Sequence, residues 1–100
     1  MKKRAAKDAL GSTIRTGDIV RVIGVPDLRG MSPAGLRTSR PAFRHILGTY
    51  RKICGFDRYG CAEIDFRIRR GPHAGLHTVY IEPHLLRRKQ VRHAKWQTAE

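Results

Sequence analysis

The stretch CAEIDFRIR, residues 61–69, alternates apolar and polar residues without a break and constrains the fold more than any other part of the chain. Apolar residues occupy the even positions, and Cys61 and charged residues occupy the odd ones. Because successive side chains of a strand point to opposite faces, this period of two predicts a β-strand. One face of that strand belongs to the core and the other faces solvent.

Three further segments predict strands, and they are GDIVRVIG (17–24), GTYRKIC (48–54) and LHTVYI (76–81). The connections GFDRYG (55–60) and RGPHAG (70–75) contain the Gly, Asp and Pro residues that are typical of turns. EPHLL (82–86) predicts a short 3₁₀ turn. Sequential short strands joined by turns predict an antiparallel sheet that curls on itself, since closure removes exposed edges.

The segment between the first two predicted strands, residues 25–42, contains three prolines as well as Gly30 and Gly35. This composition predicts a long irregular loop. The adjoining RPAFRHIL, residues 40–47, predicts one helical turn that packs Phe43, Ile46 and Leu47 inward. The predicted fold class is therefore all-β: a small antiparallel barrel of four to five strands with a long first loop and basic tails.

A chain of 100 residues forms one small domain. We expect a basic N-terminal tail over residues 1–12, the barrel over residues 13–88, and a basic tail or short helix over residues 89–100. No apolar run approaches the ~20 residues of a membrane span, and no apolar segment follows the basic N-terminus as in an export signal. The expected location is cytoplasmic, where the two cysteines stay reduced.

The charge balance is the clearest functional signal. The chain has 21 Lys and Arg against 8 Asp and Glu, a formal net charge of +13. Fifteen of these cations are arginine, which grips phosphate in a fork and stacks on bases. A charge of this size attracts polyanions and indicates a nucleic-acid-binding domain.

The nucleic-acid hypothesis assigns cations on predicted strands, turns and the basic C-terminal segment. We expect contacts from Arg51, Arg58, Tyr59, Arg67, Arg69, Arg70, Arg87, Arg88 and Lys89. Arg67 and Arg69 share the solvent face of the alternating strand, with Arg51 as a cross-strand neighbour. The ring of Tyr59 is available to stack on a base. RNA is favoured over DNA because no recognition helix is visible in the sequence.

Four residues raise the alternative of a metal site. Cys54, Cys61, His73 and His77 have the spacing C-x6-C-x11-H-x3-H. Thiolate and imidazole are the ligands that zinc prefers, but the cysteine gap of six departs from structural zinc sites. The other interpretation is two cysteines beside a hairpin and two loop histidines, so no metal or other cofactor is predicted.

Catalysis is not expected. The chain lacks a nucleophile elbow, a zinc-protease motif and a phosphate-binding loop. Glu63 and Asp65 point to the same strand face, but pairing with Arg67 or Arg51 explains them. A domain of this size also leaves little room for a substrate pocket.

The order of these segments resembles a known family. Gly17-Asp18-Ile19-Val20-Arg21-Val22 resembles the opening strand of SH3-like barrels of the translation-protein, KOW-like type. The terminal VYIEPHLL is similar to the last strand and short helical turn of that fold. The spacing of Pro26, Gly30-Met31, Pro33, Phe43 and Gly48 resembles that of a large-subunit ribosomal protein of archaea and eukaryotes that carries such a barrel. The resemblance covers residues 14–88 and implies an SH3-like barrel. Some relatives with this barrel bind protein and not RNA.

Three functions therefore stay open. The first is a non-catalytic nucleic-acid-binding protein that holds RNA through arginine–phosphate contacts. The second is a protein-interaction module, or accessory subunit, that docks on an acidic partner. The third is a small zinc-binding protein.

Overall fold

The structure, a computed structural model, describes residues 5–90, apart from the side chain of Thr38. Eight strands are present in this part of the chain: β1 (Ala5–Lys7), β2 (Thr13–Arg15), β3 (Ile19–Val22), β4 (Tyr50–Lys52), β5 (Gly55–Phe56), β6 (Ala62–Ile68), β7 (Gly75–Ile81) and β8 (Leu86–Arg88). One α-helix, α1 (Pro33–Ile46), precedes β4, and a 3₁₀ turn (Pro83–Leu85) precedes β8.

The strands form three small antiparallel sheets, with the orders β1-β2, β4-β3-β8 and β5-β6-β7. A small β-rich antiparallel domain is thus confirmed. The predicted count of four to five strands is wrong, and the ladders of residues 5–90 do not close into one barrel. Six of the eight strands have only two to four residues, so each ladder ends before it reaches the next sheet.

The β6–β7 hairpin confirms the alternating pattern of the sequence. The even-numbered residues of β6 are buried and the odd-numbered ones are half-buried or exposed. Val79 and Ile81 of β7 lie opposite Ile64 and Ala62 and bury the same face. His77 lies opposite Phe66.

β3 is the central strand of its sheet. Val20 and Val22 are fully buried, while Ile19 and Arg21 face outward. β4 pairs with β3 on one side, as neighbouring segments often do. β8 pairs with it on the other side, so the chain returns to its first predicted strand at the end of the described residues.

Residues 25–32 contain no helix or strand, as predicted for an irregular loop, but the prediction is wrong for residues 33–42, which belong to α1. Oγ of Ser32 accepts the backbone N–H of Gly35 at 3.1 Å, and Pro33 takes the first helical position, where no N–H partner is needed. Pro41 removes one internal hydrogen bond from the helix. Burial of an amphipathic face compensates for this loss, since most helical stability in proteins comes from packing.

The buried face of α1 includes Phe43 and Ile46, as predicted. Leu47 does not pack inward: it ends the helix and is 45% exposed. Its backbone N–H donates to the carbonyl of Phe43, and its non-helical ψ of 129° ends the helix.

The N-terminal hairpin is tied to β8 by a buried carboxylate. Asp8 is buried and accepts the backbone N–H groups of Leu10, Ser12 and Arg88. Burial opposes ionisation, but these N–H groups and the charge of Arg87 outweigh it and hold the pKa of Asp8 below its ordinary value. Residues 5–12 of the predicted tail thus include a paired strand, whereas residues 1–4 and 91–100 lie outside the described part.

The core combines residues of α1 and the two larger sheets with Ile14 of β2. Its largest fully buried side chains are Ile14, Ile46, Ile53, Ile64, Ile81, Leu86, Val20 and Val22. Over residues 5–90, no helix combines the length and the apolar character that a membrane crossing requires.

Candidate nucleic-acid interface

The described residues carry far more cations than carboxylates. Residues 5–90 include sixteen Lys and Arg but seven Asp and Glu. Even one-to-one pairing would leave nine cations without a carboxylate. The location of the carboxylates therefore decides which cations stay uncompensated.

Most carboxylates serve turns. Four aspartates accept backbone N–H groups in loops or turns, and they are Asp8, Asp18, Asp27 and Asp57. Asp27 also pairs with Arg29 at 2.8 Å, Asp18 lies 3.9 Å from Arg88, and Asp8 interacts with the charge of Arg87. Glu63 and Asp65 lie on the outer face of β6, and Glu82 precedes the 3₁₀ turn.

The outer face of the β4-β3-β8 sheet has no carboxylate among its described residues. We call this surface the basic face, and it consists of Ile19, Arg21, Tyr50, Lys52, Arg87 and Lys89. All six are exposed, because Val20, Val22 and Leu86 take the alternate positions and point into the core. Four cations, one aromatic ring and one aliphatic side chain thus share one surface.

Two arginines oppose each other across the centre of the basic face. Arg21 of β3 pairs in register with Arg87 of β8. Like charges directly opposite each other destabilise a sheet, and the described residues of this face include no carboxylate. Arg87 also interacts with the charge of Asp8, a buried carboxylate that does not belong to this face. Arg21 also lies opposite Tyr50, whose ring has Nζ of Lys89 at 5.4 Å from its centroid. Cations around an exposed aromatic ring are the groups that hold phosphate and stack on bases.

A second basic surface lies between the end of α1 and the end of β6. It is an open groove of about 540 Å³, which we call the basic groove, and its lining is His45, Arg51, Arg67, Ile68, Arg69 and Arg70. A smaller cavity beside it adds Arg44 and His73. None of the described residues that line either cavity is acidic.

Arg51 connects the two surfaces through β4. Its guanidinium carbon lies 5.5 Å from the centroid of the Phe66 ring, and its Nε donates to Oγ1 of Thr49 at 2.9 Å. The flanking residues Tyr50 and Lys52 point to the opposite side of the strand and belong to the basic face. Arg51 pairs in register with Val20, so the predicted cross-strand contact with Arg67 is wrong; Leu76 lies opposite Arg67.

Arg58 and Tyr59 form a separate tip on the β5–β6 turn. Oδ1 of Asp57 accepts the backbone N–H groups of Tyr59 and Cys61 and thereby fixes the turn. Arg58 lies over the Tyr59 ring at 5.0 Å and donates to its hydroxyl at 2.9 Å. Tyr59 is 76% exposed, so the ring and the guanidinium are both presented to solvent.

The nine predicted residues therefore divide among different surfaces. Arg87 and Lys89 lie on the basic face, and Arg88 turns toward Asp18 beside it. The basic groove is lined by Arg51, Arg67, Arg69 and Arg70. Arg58 and Tyr59 lie on the β5–β6 turn.

Sequence reasoning missed Arg21, Tyr50 and Lys52. The alternation of Val20, Arg21 and Val22 already places Arg21 outward on its strand. The pairing of β3 with β8, which brings Arg21 to Arg87, has no local sequence signal.

The candidate metal ligands do not come together in residues 5–90. The backbone N–H of Cys54 donates to the carbonyl of Glu63, whereas the carbonyl of Cys61 accepts the backbone N–H of Asp57. Cys61 therefore lies opposite Asp57, three positions from Cys54, which is about 10 Å along the strand. Burial, and then the charges of nearby carboxylates, raise the pKa of the Cys61 thiol and disfavour the thiolate. No group of three or more His, Cys, Asp or Glu in this part of the chain is arranged to hold a metal ion.

Comparison of the chain with protein-family models, with curated proteins and with solved structures finds no match.

Proposed function

We propose that this protein binds nucleic acid without catalysing a reaction, and that it holds RNA through cation–phosphate contacts on the basic face. The observation that carries the proposal is the opposition of Arg21 and Arg87 in the centre of that face. In the free protein this pair is unfavourable. A phosphate placed between the two guanidinium groups would turn the repulsion into two charge-assisted contacts.

The preference for RNA needs a different reason from the one that the sequence suggested. The sequence favoured RNA because it showed no recognition helix. The structure contains the helix α1, which carries exposed Arg37, Arg40 and Arg44, so this reason no longer holds. RNA stays favoured because the basic face is a sheet surface that carries an exposed aromatic ring, Tyr50. Sheet surfaces of this kind accept the unstacked bases of single strands.

The SH3-like assignment is part of the same proposal. Its support is the position of the G-D-I-V-R-V strand at the centre of the β4-β3-β8 sheet, with the terminal strand paired to it. The 3₁₀ turn that directly precedes β8 lies where the resemblance expects a short helical turn. The assignment leaves function open, because one fold serves many functions.

A protein partner is the second candidate, and a surface between α1 and the segment before it favours it. Val25, Leu28, Leu36 and Leu47 line an apolar groove there, with Arg40 and Arg44 at its side. Co-purification of a stoichiometric acidic protein that survives nuclease treatment would support this alternative.

Fluorescence anisotropy tests the RNA proposal. The probes are a 20-nucleotide single-stranded RNA, an RNA hairpin, and single-stranded and duplex DNA, each titrated between 50 and 300 mM salt. Arg21→Gln/Arg87→Gln should reduce the salt slope for single-stranded RNA by about 0.7, the value for the one phosphate held between the two arginines. The matched control, Arg15→Gln/Arg37→Gln, removes the same charge from exposed positions of β2 and α1.

Three outcomes decide the proposal. Binding that weakens with salt and depends on Arg21 and Arg87 more than on the control pair supports it. An equal loss in the control variant shows that net charge acts without the basic face and contradicts it. Absence of any binding by the unmodified protein at 50 mM salt removes the nucleic-acid proposal altogether.

A further inference from the structure

Three aromatic rings from different elements lie together beside the basic groove. His45 in the last turn of α1 and His77 of β7 are each nearly parallel to the ring of Phe66, at 14° and 15°. The centroid distances are 5.8 and 5.5 Å. Phe66 is 5% exposed and is fixed by the core, whereas His45 is exposed. A buried ring therefore orients an imidazole that solvent can reach.

The other groups around the Phe66 ring are a histidine that contacts a backbone carbonyl and several arginines. Nε2 of His77 lies 2.7 Å from the carbonyl oxygen of His73, which holds that ring toward the turn. Arg51 lies over Phe66, and Arg69 and Arg70 line the groove beside His45. His45 also lines the neighbouring cavity, so it is the ring of the three that borders both open spaces.

We infer that the basic groove is a pocket for one unpaired nucleotide, whose base stacks on His45 while its phosphate contacts Arg69 and Arg70. This inference rests on the proposed function and adds selection for single-stranded RNA to it. Histidine rings and arginine planes are both used to stack splayed-out bases. A groove of about 540 Å³ also falls within the size range of small-ligand pockets.

A duplex would not use this pocket. Its bases are stacked and paired, and taking one out requires energy. Its phosphates could still contact the basic face. The pocket therefore predicts a preference for single-stranded RNA that depends on His45 and adds to any preference that stacking on Tyr50 gives the basic face.

The experiment compares single-stranded RNA of ten nucleotides with a duplex of matched phosphate number. His45→Ala should weaken binding of the single strand roughly tenfold, the effect of losing one stacked base, and change duplex binding less than twofold. His45→Phe keeps an aromatic ring and should retain single-strand binding. His84→Ala is the matched control, because His84 is an exposed histidine on the 3₁₀ turn.

A second measurement leaves the protein unchanged. A single strand that carries abasic sites but the same phosphates should bind the unmodified protein roughly tenfold more weakly than the normal strand, because it has no base to stack. The difference between the two strands should become much smaller in His45→Ala, because only stacking on Tyr50 of the basic face then distinguishes them. This arm keeps the test valid where removal of His45 disturbs the packing on Phe66, and melting curves of each variant report that disturbance.

The failures are distinguishable. If the unmodified protein binds neither RNA, the proposed function itself fails. If Arg21→Gln/Arg87→Gln weakens binding but His45→Ala, His45→Phe and His84→Ala keep the same single-strand preference, the pocket is refuted and the basic face stands. Equal loss of single-strand and duplex binding in His45→Ala, or tight binding of the abasic strand, also overturns the pocket.

Discussion

The repulsion between Arg21 and Arg87 can be measured directly by a double-mutant cycle. The variants are Arg21→Gln, Arg87→Gln and the double variant, each of which removes the charge and leaves a shorter, polar side chain. A single substitution is ambiguous. Arg21 also donates to the carbonyl of Gly48 at 3.3 Å, and Arg87 favours the ionised form of Asp8. The cycle cancels these separate losses and isolates the pairwise interaction.

The register gives the expected magnitude. Directly opposed residues of an antiparallel pair have Cβ atoms about 5 Å apart, so we take about 6 Å between the two charges. Two unit charges at that separation in water repel by about 0.7 kcal/mol. Screening reduces this to about 0.6 kcal/mol at 10 mM salt, 0.3 kcal/mol at 0.15 M and 0.1 kcal/mol at 1 M.

The assay is urea unfolding followed by far-UV circular dichroism at those three salt concentrations. Each single substitution removes the whole repulsion, and the double variant removes it only once. The double variant should therefore gain about 0.6 kcal/mol less than the sum of the two single variants at 10 mM salt. That shortfall should shrink steadily as salt is added.

The same substitutions should have opposite effects on stability and on RNA binding. Removing the repulsion stabilises the free protein, whereas losing the two cations weakens RNA binding. A shortfall of zero at 10 mM salt would refute the reasoning, because the two guanidinium groups would then not face each other. A shortfall that stays constant up to 1 M salt would also refute it, since the interaction would not be electrostatic.

Two further predictions concern parts of the fold outside the basic face. Asp8→Asn should lower the free energy of unfolding by about 1–3 kcal/mol at pH 7, because it leaves a buried N–H group without an acceptor. The pKa of Asp8 is lowered on folding, so its ionisation stabilises the fold above the unfolded-state value of about 3.9, and this contribution is lost as the pH falls through the folded-state pKa. In urea unfolding, the free energies of unfolding of Asp8→Asn and of the unmodified protein should converge as the pH falls through that pKa. A difference that stays constant down to pH 2 would contradict this. Iodoacetamide at pH 8 should label exposed Cys54 before Cys61, whose thiol pKa is raised by burial, and added Zn²⁺ should slow neither. Mass spectrometry of tryptic peptides separates the two, and protection by Zn²⁺ would revive the metal hypothesis.

Local pattern predicted the strands whose partners are close in sequence. The alternation of residues 61–69 became β6, and its neighbour β7 follows after a turn of six residues. In such a hairpin the burial of one face fixes both the strand and its register. The prediction of Phe66 as a core residue followed from the same parity.

Only the last part of helix α1 was predicted, as a helical turn over residues 40–47, because the local signals of the preceding part conflict. Three prolines and two glycines between residues 25 and 42 favour a loop, and Pro41 lies inside the helix itself. The start signal was nevertheless present, since Ser32 followed by Pro33 is the pattern of an N-cap and a first helical residue. What decides for the helix is the burial of Phe43 and Ile46 against the sheets, a tertiary contribution that outweighs propensity.

The candidate site depends on pairing over a long sequence separation. The segment Leu86–Arg88 has two basic residues and no strand pattern of its own, yet it is a strand because β3 offers a free edge. That pairing simultaneously buries Leu86 and places Arg87 opposite Arg21. The fold therefore gains core burial from the same contact that creates the repulsion. Any substitution that relieves the charge without losing the burial separates the two, which is why the charge-neutral variants at these two positions test the site without dismantling the sheet.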